Sequence, residues 1–175
     1  MFSIIVAKDH NNIIGINGKL AYSFKKDLSF FKETTKKHTV VMGHNTYVSI
    51  GKPLEDRDNI ILTRDASLEI DNCIVLYDKD TIQQFINDNK DTEDEIFIIG
   101  GESIYRLFLP YVKKIYCTLI DNKKLIRRDE EVSLFPDFPT GKFNLISSKQ
   151  CYDIDRVSRI KFKINFNIYS RIGWN

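Results

Sequence analysis

In the stretch SFKKDLSFFK, residues 23–32, Phe24, Leu28 and Phe31 recur at helical spacing. Asp27 falls on that same apolar face. A carboxylate among apolar side chains is costly unless something pairs with it. One reading rotates the helix and leaves Asp27 at a wet rim. The other puts it at the floor of an apolar slot, facing a ligand with adjacent N–H donors, such as an amidine or a 2-amino-4-oxo ring. Phe31, Ile50 and Leu54 would then supply the walls. Periodicity alone leaves the two readings even.

A second chemistry is written in VVMGHNT (40–46) and FIIGGES (97–103). Both run from an apolar strand through glycine into a polar residue that opens a helix. Backbone N–H groups at a helix start are unpaired and can bind phosphate. Glycine lets a ligand approach the backbone closely. Each stretch alone is a common turn. Two of them, with Thr63–Arg64 after another strand, point to a bound pyrophosphate. Neither G-x-G-x-x-G nor a Walker A sequence is present, which disfavours a true Rossmann site and a P-loop kinase. Arg64 reads as a surface cation or as a clamp on an extra phosphate.

The elements that must position these groups fit one domain spanning residues 1–175. With 42% hydrophobic and 29% charged residues the composition is that of a folded globular chain. A net charge of +2 and no dense basic run leave nucleic-acid binding unsupported. The start MFSIIVAKDH lacks the features of a signal peptide, and no stretch reaches the length of a membrane span. Cys73, Cys117 and Cys151 read as reduced thiols of a cytoplasmic protein. His10, His38 and His44 lack ligand spacing, so no metal is expected.

Strands are read at 2–7, 39–43, 59–63, 72–77, 95–101 and 114–120. Helices are read at 24–36, with Ser23 as N-cap, at 44–51, closed by Gly51, and at 80–88 and 102–109. Residues 8–22 and 121–139 read as loops, the first long enough to suggest a functional one. Two late strands alternate with period two, KFNLISSKQCY and RIKFKINFNIYSR. The order predicts an α/β domain: a central, mostly parallel twisted sheet of about eight strands, an antiparallel C-terminal edge, and helices on both faces. Ligands of such sheets bind beyond the carboxyl ends of the strands.

Taken together these residues resemble dihydrofolate reductase over nearly the whole chain. The resemblance rests on IIVAKDHNNIIGINGKL with DLSFFK, VVMGHNTYVSIGKPLEDRDNIILTR, FIIGGESIYRLFLP, KIYCTLID and LFPDF. It implies NADPH-dependent reduction of dihydrofolate to tetrahydrofolate, in the service of one-carbon metabolism. Asp27 is then the carboxylate that binds N3 and the 2-amino group of the pteridine, and Thr118 bonds it or its water. The implied substrate contacts are Ile5, Val6, Leu20, Leu28, Phe31, Ile50, Leu54, Ile99 and Tyr105, with Arg57 on the glutamate tail. The implied NADPH contacts are Ala7, Ile14 and Gly15 at the nicotinamide, then Gly43, His44, Asn45 and Thr46. Leu62, Thr63 and Arg64, and Ile99 through Gly100, Gly101, Glu102, Ser103 and Ile104, complete them. The peptide between Gly100 and Gly101 is implied to be cis. The loop at about 9–23 matches the family's mobile loop.

Three positions depart from the family pattern. Ala21–Tyr22 replaces the common Pro-Trp, and Tyr22 keeps a ring and a donor that would order a catalytic water. His44 stands where a fixed cation is frequent, so cofactor affinity would rise at low pH. Glu102 puts a carboxylate where a basic or small residue is common. A same-fold reductase of a riboflavin-pathway pyrimidine would not be expected to combine Asp27, Phe31 and Arg57. A non-catalytic pterin- or NADPH-binding relative is opposed by intact Asp27, Arg57 and Thr118. The further expectations are a monomer, binding of antifolate inhibitors, and no nucleic-acid or membrane partner.

Overall fold

The computed structural model describes residues 1–173; Trp174 and Asn175 lie outside the described residues. The sheet is built from β1 (Phe2–Asp9), β4 (Thr39–Gly43), β5 (Asp58–Leu62), β6 (Cys73–Leu76), β7 (Ile96–Gly100), β8 (Val112–Ile120), β10 (Phe143–Ile154) and β11 (Lys161–Arg171). These eight strands lie in the order β10-β11-β8-β1-β7-β4-β5-β6. All neighbours are parallel except the β8–β11–β10 edge, which is antiparallel. The predicted architecture is the one observed.

Alternation along the strands sends side chains to two cores. Ile4, Val6, Val41 and Ile98 face the helices α3 (Lys79–Asn89) and α4 (Glu102–Phe108). Ile5, Val40, Met42 and Phe97 face the other way, toward Phe30 and Phe31 of α1 (Lys25–Thr35) and Tyr47 of α2 (His44–Ile50). A residue step of one moves a strand side chain to the opposite face, so Ile5 and Val6 part company here. No helix among the described residues is long and apolar enough to cross a membrane.

Three local readings are corrected. The segment 8–22 is not one loop: it holds β2 (Ile13–Ile16) and β3 (Lys19–Leu20), antiparallel and joined at Asn17–Gly18. Both turn residues have positive φ, 50° and 72°, the geometry of a tight hairpin that Asn-Gly favours. The segment 121–139 likewise contains β9 (Val132–Leu134), which pairs with β2. Ser23 does not cap α1; the N-cap is Phe24, whose side chain makes no cap. A distant carboxylate serves instead, as the Lys26 N–H donates to Asp153 Oδ2 at 2.8 Å. Long-range groups thus do what a local cap does elsewhere.

Candidate active site

Asp27 lies in the first turn of α1. The residue is half-buried, but its carboxyl is the enclosed part. Burial pushes its pKa above the ordinary carboxylate value. A hydrogen bond from the Thr118 side chain opposes that shift, and the nearby Asp153 charge adds to it. Thr118 is itself 1% exposed and stands on β8, paired with Ala7 of β1. The buried Tyr105 of α4 is close enough to feel the Asp27 charge. Its hydroxyl donates to the Ile5 carbonyl at 2.9 Å, which ties α4 to β1 behind the carboxylate.

Several of the apolar residues expected at the site group together. Ile5, Phe31, Leu54 and Ile99 share a cluster. Leu28, one turn from Phe31 on the helix, and Ile50 at the end of α2 are each 37% exposed, and Leu20 of β3 is still more open. The Val6 side chain packs in the opposite core, so it is the backbone of Val6 that this face receives. The Leu62 and Ile104 side chains also belong to that core.

Arg57 closes one end. Its ring neighbour is Phe31, 5.9 Å away. Nε donates to Thr35 Oγ1 at 2.8 Å, Nη1 to the Glu55 carbonyl at 2.5 Å and Nη2 to the Lys32 carbonyl at 2.9 Å. A guanidinium has five N–H groups, so each terminal nitrogen keeps one for a ligand. The anchor Thr35 is fully buried and pinned to the Phe31 carbonyl.

The glycine stretches meet across neighbouring strands. β4 ends at Gly43 and β7 at Gly100, and each runs into a helix, α2 or α4, with no side-chain cap at its start. A Cβ on Gly43 would stand 3.1 Å from Ile104, and one on Gly101 3.4 Å from Thr46 Oγ1. The Gly100–Gly101 peptide is cis. Two uncapped helix starts and this glycine-lined approach fit a pyrophosphate. Thr63 lies beside them in chain order after β5, and Arg64, Asn45 and Ser103 are exposed. Hydrogen bonds from the Ser67 hydroxyl and N–H hold the Asp65 carboxyl below its usual value, and His44, which opens α2, adds a smaller pull. Ala7 and Ile14 are half-buried, and Gly15 is flanked by the Lys19 carbonyl and Ser133.

Two expectations change in detail. Glu102 does not face a phosphate: Oε1 takes Arg106 Nη2 at 2.9 Å and Oε2 takes the Leu134 N–H at 2.8 Å. Tyr22 gives its hydroxyl proton to Asp9 Oδ2 at 3.0 Å and accepts from Asn122 at 2.9 Å. That proton is therefore committed to Asp9, not held free for a water beside Asp27. Asp9, Asn122, Lys124 and Asp153 are the residues sequence reasoning missed; each looks like an ordinary loop or edge polar residue.

Fold and site together define the class: an α/β domain on a mostly parallel eight-stranded sheet, with a buried carboxylate on α1 and two glycine-led helix starts at the ends of neighbouring strands. Comparison with known proteins narrows it. The family model described as Dihydrofolate reductase matches residues 1–171. Dihydrofolate reductase of Bacillus subtilis (strain 168) is 34% identical over 151 residues, covering 86% of this chain and 84% of that one. Dihydrofolate reductase of Staphylococcus haemolyticus is 38% identical over 121 residues, 69% of this chain and 70% of that one. The solved Enterococcus faecalis dihydrofolate reductase, complexed with NADP(H) and RAB-propyl, superposes with a TM-score of 0.82 at 24% identity, covering 98% and 96%. The chain belongs to the dihydrofolate reductase family.

Proposed function

We propose that the cleft around Asp27 is where this chain carries out NADPH-dependent reduction of dihydrofolate to tetrahydrofolate. The observation that carries this is an enclosed carboxylate on α1, with the Thr118 side chain placed to lower its pKa against the burial that raises it. Asp27 holds the pterin by its 2-amino and N3 hydrogens and favours the ring protonated at N5 through its field. When bound, NADPH supplies the hydride that adds to C6, and N5 takes its proton from solvent. Ala7, Ile14 and Gly15 place the nicotinamide, while Gly43–Thr46, Thr63–Arg64 and Gly100–Ile104 hold the rest of the dinucleotide. Ile5, Phe31 and Leu54 exclude water and align the two rings, which removes much of the entropic part of the barrier. Antifolates that present the same N–H donors occupy the same floor. The enzyme works as a monomeric, single-domain cytoplasmic protein.

The direct test mixes purified protein with NADPH and dihydrofolate and follows the NADPH absorbance, with NADH as comparison. No oxidation by a folded protein that still binds NADPH would leave the fold and sink the substrate.

Arg57 takes the α-carboxylate of the substrate's glutamate. Arg57→Lys keeps the charge but loses the fork and its three anchors. The KM for dihydrofolate should rise about tenfold or more. A dihydropterin lacking the glutamate should show no change, which locates the loss at the tail.

Thr118 tunes the acid. Its hydrogen bond lowers the Asp27 pKa, so Thr118→Val moves that pKa further up. The midpoint in the pH profile of hydride transfer, or in an NMR titration of the Asp27 carboxyl carbon, should shift to higher pH. A midpoint that stays or falls would remove Thr118 from this role.

A further inference from the structure

A carboxylate outside the reaction described so far lies at the base of the β2–β3 hairpin loop. Asp9, the last residue of β1, is 0% exposed. Its Oδ1 accepts the Asn11 N–H at 2.9 Å and the Ile13 N–H at 3.0 Å, which turns the chain from β1 into β2. Its Oδ2 accepts the Tyr22 hydroxyl at 3.0 Å and the Lys124 N–H at 2.8 Å. Asn122 donates to the same Tyr22 hydroxyl at 2.9 Å. Lys124 Nζ donates to the Ala21 carbonyl at 2.6 Å and lies 4.7 Å from the Tyr22 ring centroid. One buried carboxylate thus joins the start of the loop, its end, and the segment after β8.

We infer that Asp9 is a positioning residue for the reduction, acting through Tyr22 on the entry to α1, with Asn122 and Lys124 completing the clamp. This rests on Asp27 being the carboxylate that meets the pterin. Tyr22 leads directly into α1. Its ring stacks on Phe24, the N-cap, at 6.1 Å, and Phe162 packs edge-on against both at 5.9 and 6.0 Å. Asp27 follows within the first turn. Ala7, from the strand that ends in Asp9, packs in the same cluster as Tyr22 and Phe24. The Asp9–Tyr22 bond is therefore where the path into α1 is fastened to β1. A buried carboxylate that lost Tyr22 and Lys124 would keep half its bonds and none of its access to water, so the three segments hold together.

Asp9→Asn separates the two halves of this clamp. Its remaining oxygen still serves the Asn11 and Ile13 amides. Its NH2 faces the Tyr22 hydroxyl and the Lys124 N–H, where an acceptor is needed. The single-turnover hydride-transfer rate should fall about tenfold, with dihydrofolate and NADPH dissociation constants held within about twofold. Lys124→Met, which keeps the stem and removes the ammonium, should slow the same step about threefold. Asp9→Asn combined with Tyr22→Phe should be no slower than the slower single variant, since both cut one contact. Lower melting temperatures with hydride transfer at the wild-type rate in Asp9→Asn and Lys124→Met would overturn the inference, as would additive slowing in the double variant. If Asp9→Asn does not fold, Lys124→Met decides by the same split of rate from binding. Wild-type protein that does not turn over dihydrofolate sinks the reading of the site, and the inference with it. Wild-type turnover with unslowed variants sinks the inference alone.

Discussion

Asp27→Asn should slow hydride transfer about 10²–10³-fold at pH 7 and, at the same pH, raise the melting temperature of the ligand-free protein. The first effect follows from the donors that the carboxylate must meet. Asparagine keeps the shape and one oxygen, which Thr118 can still approach. It turns an NH2 toward the ligand's own N–H groups and removes the charge that favours the N5-protonated ring. NADPH binding should be unchanged, because the segments proposed to hold it lead into α2 and α4. The second effect follows from the sign of the shift. Burial raises the Asp27 pKa in the fold above its value of about 3.8 in the open chain. The folded state therefore holds this proton more tightly than the unfolded one. Its contribution to stability is full below pH 3.8 and is lost as pH rises through the raised value. At pH 7 the charged acid is a burden that asparagine lacks, and the gain should vanish when the melts are repeated in acid. A variant with wild-type turnover would show that Asp27 does not serve the reaction; one less stable at pH 7 would show that its carboxylate is well paired without a ligand.

Gly100→Ala should lower stability more than any other single methyl addition at a glycine of this chain. Two costs coincide there. The φ of Gly100 is +110°, open to glycine and strained for alanine by about 1–3 kcal/mol. The new Cβ would also stand 3.0–3.1 Å from three atoms of Tyr105. That ring cannot step aside freely: its hydroxyl holds the Ile5 carbonyl, and Phe135 packs edge-on against it at 5.1 Å. Crowding of this kind costs about a further 1–3 kcal/mol. The urea midpoint should fall with the slope unchanged, and turnover should fall with it, since Tyr105 is close enough to Asp27 to feel its charge. Gly51→Ala is the control. Its φ is +86°, but nothing lies within 4 Å of its Cβ, so it bears the backbone cost alone. Equal losses in the two variants would mean that the Tyr105 contact relaxes.

Much of this is legible in the sequence. Short apolar β-branched runs marked the inner strands because a sheet covered on both faces needs them. Strict alternation marked the C-terminal pair, and glycine after two strands marked the cradle. Asp27 was visible as an acid on an apolar face, though whether that face met water or a slot was not. The β2–β3 hairpin was signalled by Asn17–Gly18 inside a segment read as loop. β9 carried no such signal, because three residues become a strand only when β2 is beside them.

The sequence by itself determined which segments are apolar, where they turn and which residue types are available for chemistry, since these depend on neighbours a few positions apart. Only the tertiary structure decided which distant groups meet. It set Thr118, 91 positions from Asp27 in the chain, against its carboxyl. It gave the start of α1 its partner in Asp153, turned Glu102 toward Leu134, and closed Asp9 over Tyr22 and Lys124. A hydrogen bond needs its two atoms within about 3 Å, and closing a long loop costs little more than closing a short one. Chain separation therefore says almost nothing about which pairs will form.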